Sequence, residues 1–203
     1  MKKNGFYKER IYPVVFMVVI TAVCISMVSG ISIATKDLVA INSDLFMKKA
    51  VMFAAGLTVP DTPKAAEALF QKRVLEKSGG AYYTVISESG NAVDAVVVPS
   101  QGPGLWGEIK AVIGYRADLK TLIAVDFTEQ NETPGLGARI SEDWFKRQFN
   151  GKQPPFTLVD EGTRSKNPHE IDAITGATFT SKYVRDIVNA SAAKIKSLVK
   201  GGE

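Results

Sequence analysis

Cysteine and histidine are nearly missing from this chain, with one of each in 203 residues. A single thiol, Cys24, cannot assemble a disulfide, a zinc site or an iron–sulfur site within the chain. It lies inside an apolar run, where it is expected to be a small lipid- or helix-facing residue. His169 stands alone too and reads as a polar loop residue rather than a metal ligand or catalytic base. The spacing supports no Ser-His-Asp set, no paired carboxylates and no metal-ligand cluster, so neither catalytic residues nor metal ligands are expected. The P-loop and Rossmann glycine patterns are also missing, as are solenoid-type repeats and low-complexity segments.

Excess charge is scarce as well. The formal net charge is +4, and Lys2, Lys3, Lys8 and Arg10 against Glu9 account for all but one unit of it. The remainder is nearly balanced, which excludes a nucleic-acid-binding face.

What the chain does have is one long apolar run. No charged residue occurs from Ile11 to Ala34, a stretch of 24 positions. As a helix it would measure roughly 36 Å, enough to cross a hydrocarbon core of about 30 Å with some tilt. The run is too long for a signal-peptide core, and no small-x-small cleavage site closes it. An uncleaved transmembrane helix over 11–34 is therefore expected. Four basic residues precede it, whereas Lys36 is followed by Asp37 and Asp44. The positive-inside rule then puts residues 1–10 in the cytoplasm and the bulk of the chain outside it, as a single-pass protein of the cell (inner) membrane.

Beyond the anchor, the pattern reads as α+β. Residues 35–80 form a helical linker and packing region. Ser43 or Asp44 caps a short helix through Phe46, Ala50 and Phe53 that stops at Gly56. Thr62-Pro63 starts a second helix, with Ala66, Leu69, Phe70, Val74 and Leu75 at helical spacing and Gly79-Gly80 as terminator. Residues 81–203 form the main domain. Tyr82–Ile86, Val93–Val98, Glu108–Tyr115 and Thr121–Phe127 read as strands, and the R-A-D-L-K turn between the last two points to an antiparallel sheet. A helix is expected over Ile140–Phe149 with Ser141 as its cap, then a break at Pro154-Pro155 and a strand over Phe156–Val159. After Ser181, Val184, Ile187, Val188, Ser191, Ile195, Leu198 and Val199 lie along one side of a closing helix.

Three motifs carry the chemistry. Asp172 to Ser181, D-A-I-T-G-A-T-F-T-S, places a carboxylate, four hydroxyls and a Gly-Ala pair just before that helix. Gly176 and Ala177 allow close backbone approach, and the helix N-terminus favours a phosphate. Thr175, Thr178, Thr180 and Ser181 can cap the helix or serve as an attachment point. Asp172 can brace the turn. G-P-G-L-W-G, Gly102 to Gly107, sets Leu105 and Trp106 on a glycine-rich turn. E-T-P-G-L-G, Glu132 to Gly137, gives a type II turn at Pro134-Gly135, a hydroxyl at Thr133 and a carboxylate at Glu132.

In this order, the motifs resemble those of the RnfG/NqrC family, the FMN-binding subunits of the Rnf and Nqr respiratory complexes. In that family the pattern Asp, two variable residues, Ser or Thr, Gly, Ala or Ser, Thr is the target of a flavin transferase, which esterifies FMN phosphate onto the last Thr. Asp172, Thr175, Gly176, Ala177 and Thr178 match every constrained position. The resemblance implies covalent FMN on Thr178, with Trp106 and Leu136 against the ring beside Leu105. It further implies Thr133 at the flavin's polar edge, Gly135 exposing backbone N–H groups, and Glu132 as a supporting carboxylate. It also leaves Asp172 a second role, as a residue that the transferase recognises.

The implied protein is a membrane-anchored electron-transfer subunit, a redox component of a translocating oxidoreductase complex without a complete active site of its own. Its partners would be the other subunits of an Rnf/Nqr-type complex, the flavin transferase during maturation, and membrane lipid. The short length points to an Rnf-type ion-translocating ferredoxin:NAD oxidoreductase. G-L-W points instead to the NqrC component of an Nqr-type Na+-translocating NADH:quinone oxidoreductase. A stand-alone membrane-tethered flavoprotein reductase and a flavin-free binding domain are the rival readings, and the intact D-A-I-T-G-A-T pattern opposes the latter.

Overall fold

The computed structural model describes residues 7–90 and 92–200. Lys2 and Lys3 of the expected cytoplasmic N-terminus lie outside the described residues. The chain divides into two compact units, residues 1–44 and 45–203.

One turn of π-helix over Tyr7–Ile11 leads into helix α1, Tyr12–Ala54, whose residues from Leu45 onward belong to the second unit. The apolar side chains of its charge-free stretch, among them Val14, Phe16, Val18, Ile20, Ile31 and Ile33, are exposed. The helix is long and apolar enough to cross a membrane and fits a single-pass anchor. Pro13, the second residue of α1, follows directly on the π-helical turn.

No new helix starts at Ser43 or Asp44, because α1 runs straight through them. Residues 31–54 contain no glycine or proline, and a lone Ser or Asp inside a helix costs only about 0.5 kcal/mol. The stop at Gly56 is as expected. Its φ is +77°, and Gly56 N–H donates to Phe53 O while Leu57 N–H donates to Met52 O, the paired bonds of a Schellman motif.

In the second unit, helix α2 (Pro63–Arg73) is capped by Thr62, whose Oγ1 accepts from Ala65 N–H at 3.4 Å. It ends short of the expected extension through Leu75 and beyond. Val74–Lys77 is instead a strand, β1. Arg73 fixes the change, donating to Ile86 O at 2.5 Å and pairing with Asp94 at 3.0 Å. That ties the helix end to the neighbouring strands, and the β-branched Val74 then pairs with Val85. Strand pairing overrides the helical spacing.

The other strands are β2 (Tyr82–Ile86), β3 (Val93–Pro103), β4 (Glu108–Arg116) and β5 (Leu122–Glu129). The sheet order is β1-β2-β3-β4-β5, antiparallel throughout. Asp118 closes the β4–β5 hairpin by accepting from Lys120 and Thr121 N–H groups. Both faces of this sheet are covered. Val96, Val98, Ile109, Ile113 and Tyr115 pack with the closing helix, whereas Ala95, Val97 and Val112 pack with Ala50–Ala54 and Ala66. Two-sided burial is why V-V-V and A-V-I occur as unbroken apolar runs in β3 and β4.

The expected helix over 140–149 is two short pieces, a 3₁₀ turn (Gly137–Ser141) and α3 (Asp143–Arg147). Ser141 is not the cap: α3 starts after Glu142, which makes no side-chain cap bond. Packing sets the geometry here, since Ile140, Phe145 and Phe149 are all fully buried and Phe145, Phe149 and Phe156 meet edge to face. Strand β6 (Thr157–Val159) pairs in parallel with β7 (Glu170–Asp172), a strand that the sequence pattern does not announce. Helix α4, Thr178–Lys200, closes the unit, burying Val184, Ile187, Val188, Ser191 and Ile195.

Tyr115 joins the sheet to this helix. Its fully buried hydroxyl lies 2.6 Å from Ser191 Oγ, and burial pushes its pKa up to about 12. Ser191 Oγ in turn donates to Val188 O. Tyr115→Phe removes one bond and leaves Ser191 a partner, so denaturant titration should show a loss of about 1 kcal/mol.

Candidate functional site

Glu132 brings the three motifs together. It is only 5% exposed. Its Oε1 accepts from Leu105 N–H at 2.7 Å and Trp106 N–H at 3.2 Å, and its Oε2 accepts from Thr180 Oγ1 at 2.5 Å. One carboxylate therefore joins the G-P-G-L-W-G loop, the E-T-P-G-L-G turn and the first turn of α4. Two glycines allow it. A Cβ on Gly104 would come within 2.5 Å of Glu132 Oε1, and one on Gly137 within 2.6 Å of Oε2 and 2.7 Å of Thr180 Oγ1.

The E-T-P-G-L-G turn closes as expected, with Leu136 N–H donating to Thr133 O at 3.1 Å and Gly135 at φ +74°. At the third motif, Gly176 adopts φ +76° with Leu136 Cδ2 directly above it, so a side chain here would be both strained and obstructed. Ser181 staples the turn to the helix: its Oγ accepts from Ile174 N–H and donates to Ala177 O. Ala177 O also takes the first helical bond, from Ser181 N–H. Thr178 therefore stands in the first turn of α4, exposed, at the end where backbone N–H groups and the helix dipole favour an anion.

Leu105, Glu132, Thr133, Leu136, Gly176, Ala177 and Thr178 line a single cleft of about 70 Å³. That suits a phosphate-sized group, far below the roughly 300 Å³ at which clefts begin to enclose whole ligands. A ring system would have to lie across the cleft on the apolar surface around it. Leu105 is 51% exposed, Trp106 69%, Leu136 43% and Phe179 62%. Trp106 and Gly135 do not line the cleft itself; they sit in the two turns that bound it.

Asp172 and Thr175 face a different neighbourhood. Asp172 braces not its own turn but the 160–164 loop, its carboxylate accepting from Gly162 N–H at 2.8 Å and Arg164 N–H at 3.2 Å. Thr175 N–H donates to Glu161 at 2.6 Å, and Glu161 is gripped from its other side by Arg139 at 2.8 Å. The Arg139 bond, reinforced by Thr175, holds the Glu161 carboxyl down at about 2. Phe179, Gly137, Arg139 and Glu161 were not expected at the site. Phe179 carried a readable signal, a large apolar residue off the buried stripe of α4. The Arg139–Glu161 pair, 22 residues apart, carried none.

Residues 104–193 match the family model described as the FMN-binding domain. This stretch of the chain is similar to an FMN-binding domain. Its exposed apolar rim, Thr178 hydroxyl and anion-favouring helix start fit a phosphorylated ring. The G component of the proton-translocating ferredoxin:NAD(+) oxidoreductase complex of Clostridium ljungdahlii is 36% identical over 57% of this chain and 60% of its own length. The C component of the Na(+)-translocating NADH-quinone reductase of Vibrio anguillarum is 33% identical over 56% of this chain and 47% of its own. The chain thus spans about half the length of the curated relatives it matches. The crystal structure of the corresponding C component of the Na(+)-translocating NADH-quinone reductase from Parabacteroides distasonis has the same fold, with a TM-score of 0.64 at 23% identity over 78% of this chain and 94% of that one. Shewanella oneidensis NqrC gives 0.63 at 22% identity, over 70% and 88% respectively.

Glu132→Ala would orphan two backbone N–H groups and a buried hydroxyl of the 45–203 unit, and should lower unfolding free energy by roughly 2–3 kcal/mol in denaturant titrations. Glu161 gives a pH test. Its folded pKa, about 2, lies below the ordinary value of 4.5. Its stabilising contribution is therefore complete above pH 4.5 and is lost as pH falls toward 2. The melting temperature should drop across that window, and more shallowly in Glu161→Gln.

Proposed function

We propose that the chain is a membrane-anchored electron-transfer protein with FMN esterified through its phosphate to Thr178, acting in an Rnf-type ion-translocating ferredoxin:NAD oxidoreductase complex. The observation that carries this reading is the convergence, through Glu132, of three sequence-distant motifs around the exposed Thr178 hydroxyl. The identity of 36% to the Clostridium ljungdahlii relative, against 33% to the Vibrio anguillarum relative, supports the Rnf type. The NqrC component of an Nqr-type complex is the second reading, supported by the fold shared with two such proteins.

FMN, when bound, supplies one-electron exchange with redox partners. The protein's residues supply the rest. The first N–H groups of α4 stabilise the charge retained by the phosphodiester. Leu105, Trp106, Leu136 and Phe179 offer apolar surface to the ring, and Thr133 offers a hydroxyl at its polar edge. Glu132 holds the Leu105-Trp106 loop at a fixed distance from α4, so that the apolar contacts and the attachment point keep their spacing. The other proposed elements are a flavin transferase that loads the group during maturation, an N-terminus in the cytoplasm, a flavin domain on the outer side of the inner membrane, and contact with the other subunits of the complex.

Mass spectrometry of the full chain co-expressed with a flavin transferase tests the attachment. Peptides containing Thr178 should carry FMN, and denaturing gels should show flavin fluorescence that Thr178→Ala abolishes. Fluorescence that survives in Thr178→Ala moves the attachment elsewhere, and an unmodified wild-type peptide removes the covalent reading.

A further inference from the structure

The 45–203 unit has a larger cleft than the one at Thr178. It has a volume of about 480 Å³ and is lined by Arg139, Trp144, Lys152, Asp172 and residues of the 161–165 loop. This volume falls among those of small-molecule sites, about 300–1,000 Å³.

The charges around it are unevenly spent. Both carboxylates are already satisfied from within: Asp172 by the N–H groups of Gly162 and Arg164, Glu161 by Arg139 and Thr175 N–H. Two of the three cations are not. Lys152 Nζ donates to the neutral carbonyl of Glu170, and among the described residues neither Lys152 nor Arg164 has a carboxylate partner. Arg164 is held in the left-handed region, φ +47°, by its backbone bond to Asp172. Its backbone is thereby fixed at the rim of the cleft. Flat surface is present as well. Trp144 is 36% exposed, and the Arg139 guanidinium lies 5.2 Å from its ring centre. Unpaired Lys and Arg charges beside a planar stack form a combination that takes a phosphate and a ring together.

We propose that this cleft binds a small ligand in which a phosphate is joined to a flat ring, an anion of mononucleotide size. Lys152 and Arg164 take the phosphate, and Trp144 with Arg139 takes the ring. The proposal does not rest on attachment of FMN to Thr178. The site is linked to that turn nonetheless, because Arg139 and Thr175 N–H share Glu161. A ligand phosphate that draws on Arg139 alters the hold of Glu161 on Thr175.

Calorimetric titration of the full-length protein in detergent with AMP is the direct test, with inorganic phosphate and adenosine as the two half-ligands. AMP should bind with a Kd of about 1 mM or tighter, phosphate at least about tenfold more weakly, and adenosine without measurable heat. Arg164→Glu should weaken AMP by at least about tenfold. This variant keeps the backbone N–H that bonds Asp172, so the loop stays folded, and circular dichroism checks it. Lys152→Glu should have the same effect, and the Thr175 amide resonance should move on AMP addition to the wild type. Equal binding of phosphate and AMP removes the role of the ring, and equal binding of adenosine and AMP removes that of the phosphate. No heat from AMP at about 10 mM, or affinity unchanged in Arg164→Glu, overturns the proposal.

Discussion

A buried carboxylate with hydrogen-bond donors from two separate segments besides its own is the constraint on which this domain's working surface depends. Burying a carboxylate is costly unless it is hydrogen-bonded, and Glu132 is met by two backbone N–H groups and a hydroxyl rather than by a cation. Charge-assisted bonds of this kind are about twice as strong as neutral ones. Because the three donors come from the Leu105-Trp106 loop and from α4, satisfying the charge and assembling the site are one event. Gly104 and Gly137 are the steric condition for it, since any larger residue would occupy the space of the carboxylate oxygens.

The sheet makes that event possible by fixing where the segments start. Strand β3 ends at Pro103 and β4 resumes at Glu108, so Gly104-Gly107 is a loop pinned between two paired strands. Strand β5 ends at Glu129, three residues before Glu132. Helix α4 is locked to the same sheet by its apolar face and by the buried Tyr115–Ser191 bond. The three motifs thus hang from rigid elements on short tethers, which suits a site that must hold its geometry.

The sequence made a good deal of this legible where the signal was local. Turn residues marked the Gly56 stop, the Thr62 cap, the Arg116–Thr121 hairpin and the Pro134-Gly135 turn, because each conformation depends on close neighbours in the chain. Long-range pairing decided what was missed. Val74 reads as helix by spacing and becomes strand because Arg73 is anchored to β2 and β3. Strand β7 is three residues long and exists only through its partner β6. The same divide runs through the site. The presence of Thr178, Leu105, Trp106 and Leu136 near one another was expected from the motifs. Glu132 was expected as a supporting carboxylate, but the partners by which it joins them were not, because they lie 26 to 48 positions away. Asp172 showed the reverse: its membership in the motif suggested bracing of its own turn, yet its carboxylate faces a loop eight to ten residues upstream.

The shallowness of the Thr178 cleft bears on why the proposed covalent link would suit this domain. A site that encloses its ligand retains it by burying most of the ligand's surface, and a cleft of about 70 Å³ cannot do so for a flavin. Leu105, Trp106, Leu136 and Phe179 offer apolar contact from one side only, and all four are more than two-fifths exposed. Deeper enclosure would retain the group without a bond, but it would also keep redox partners away from it. The proposed ester at the first turn of α4 would separate the two demands: the bond would supply retention and the open apolar rim access. On the proposed attachment, exposure of these four side chains is therefore a working feature of the electron carrier, and the rigidity that an enclosing pocket would normally provide is supplied from beneath by Glu132.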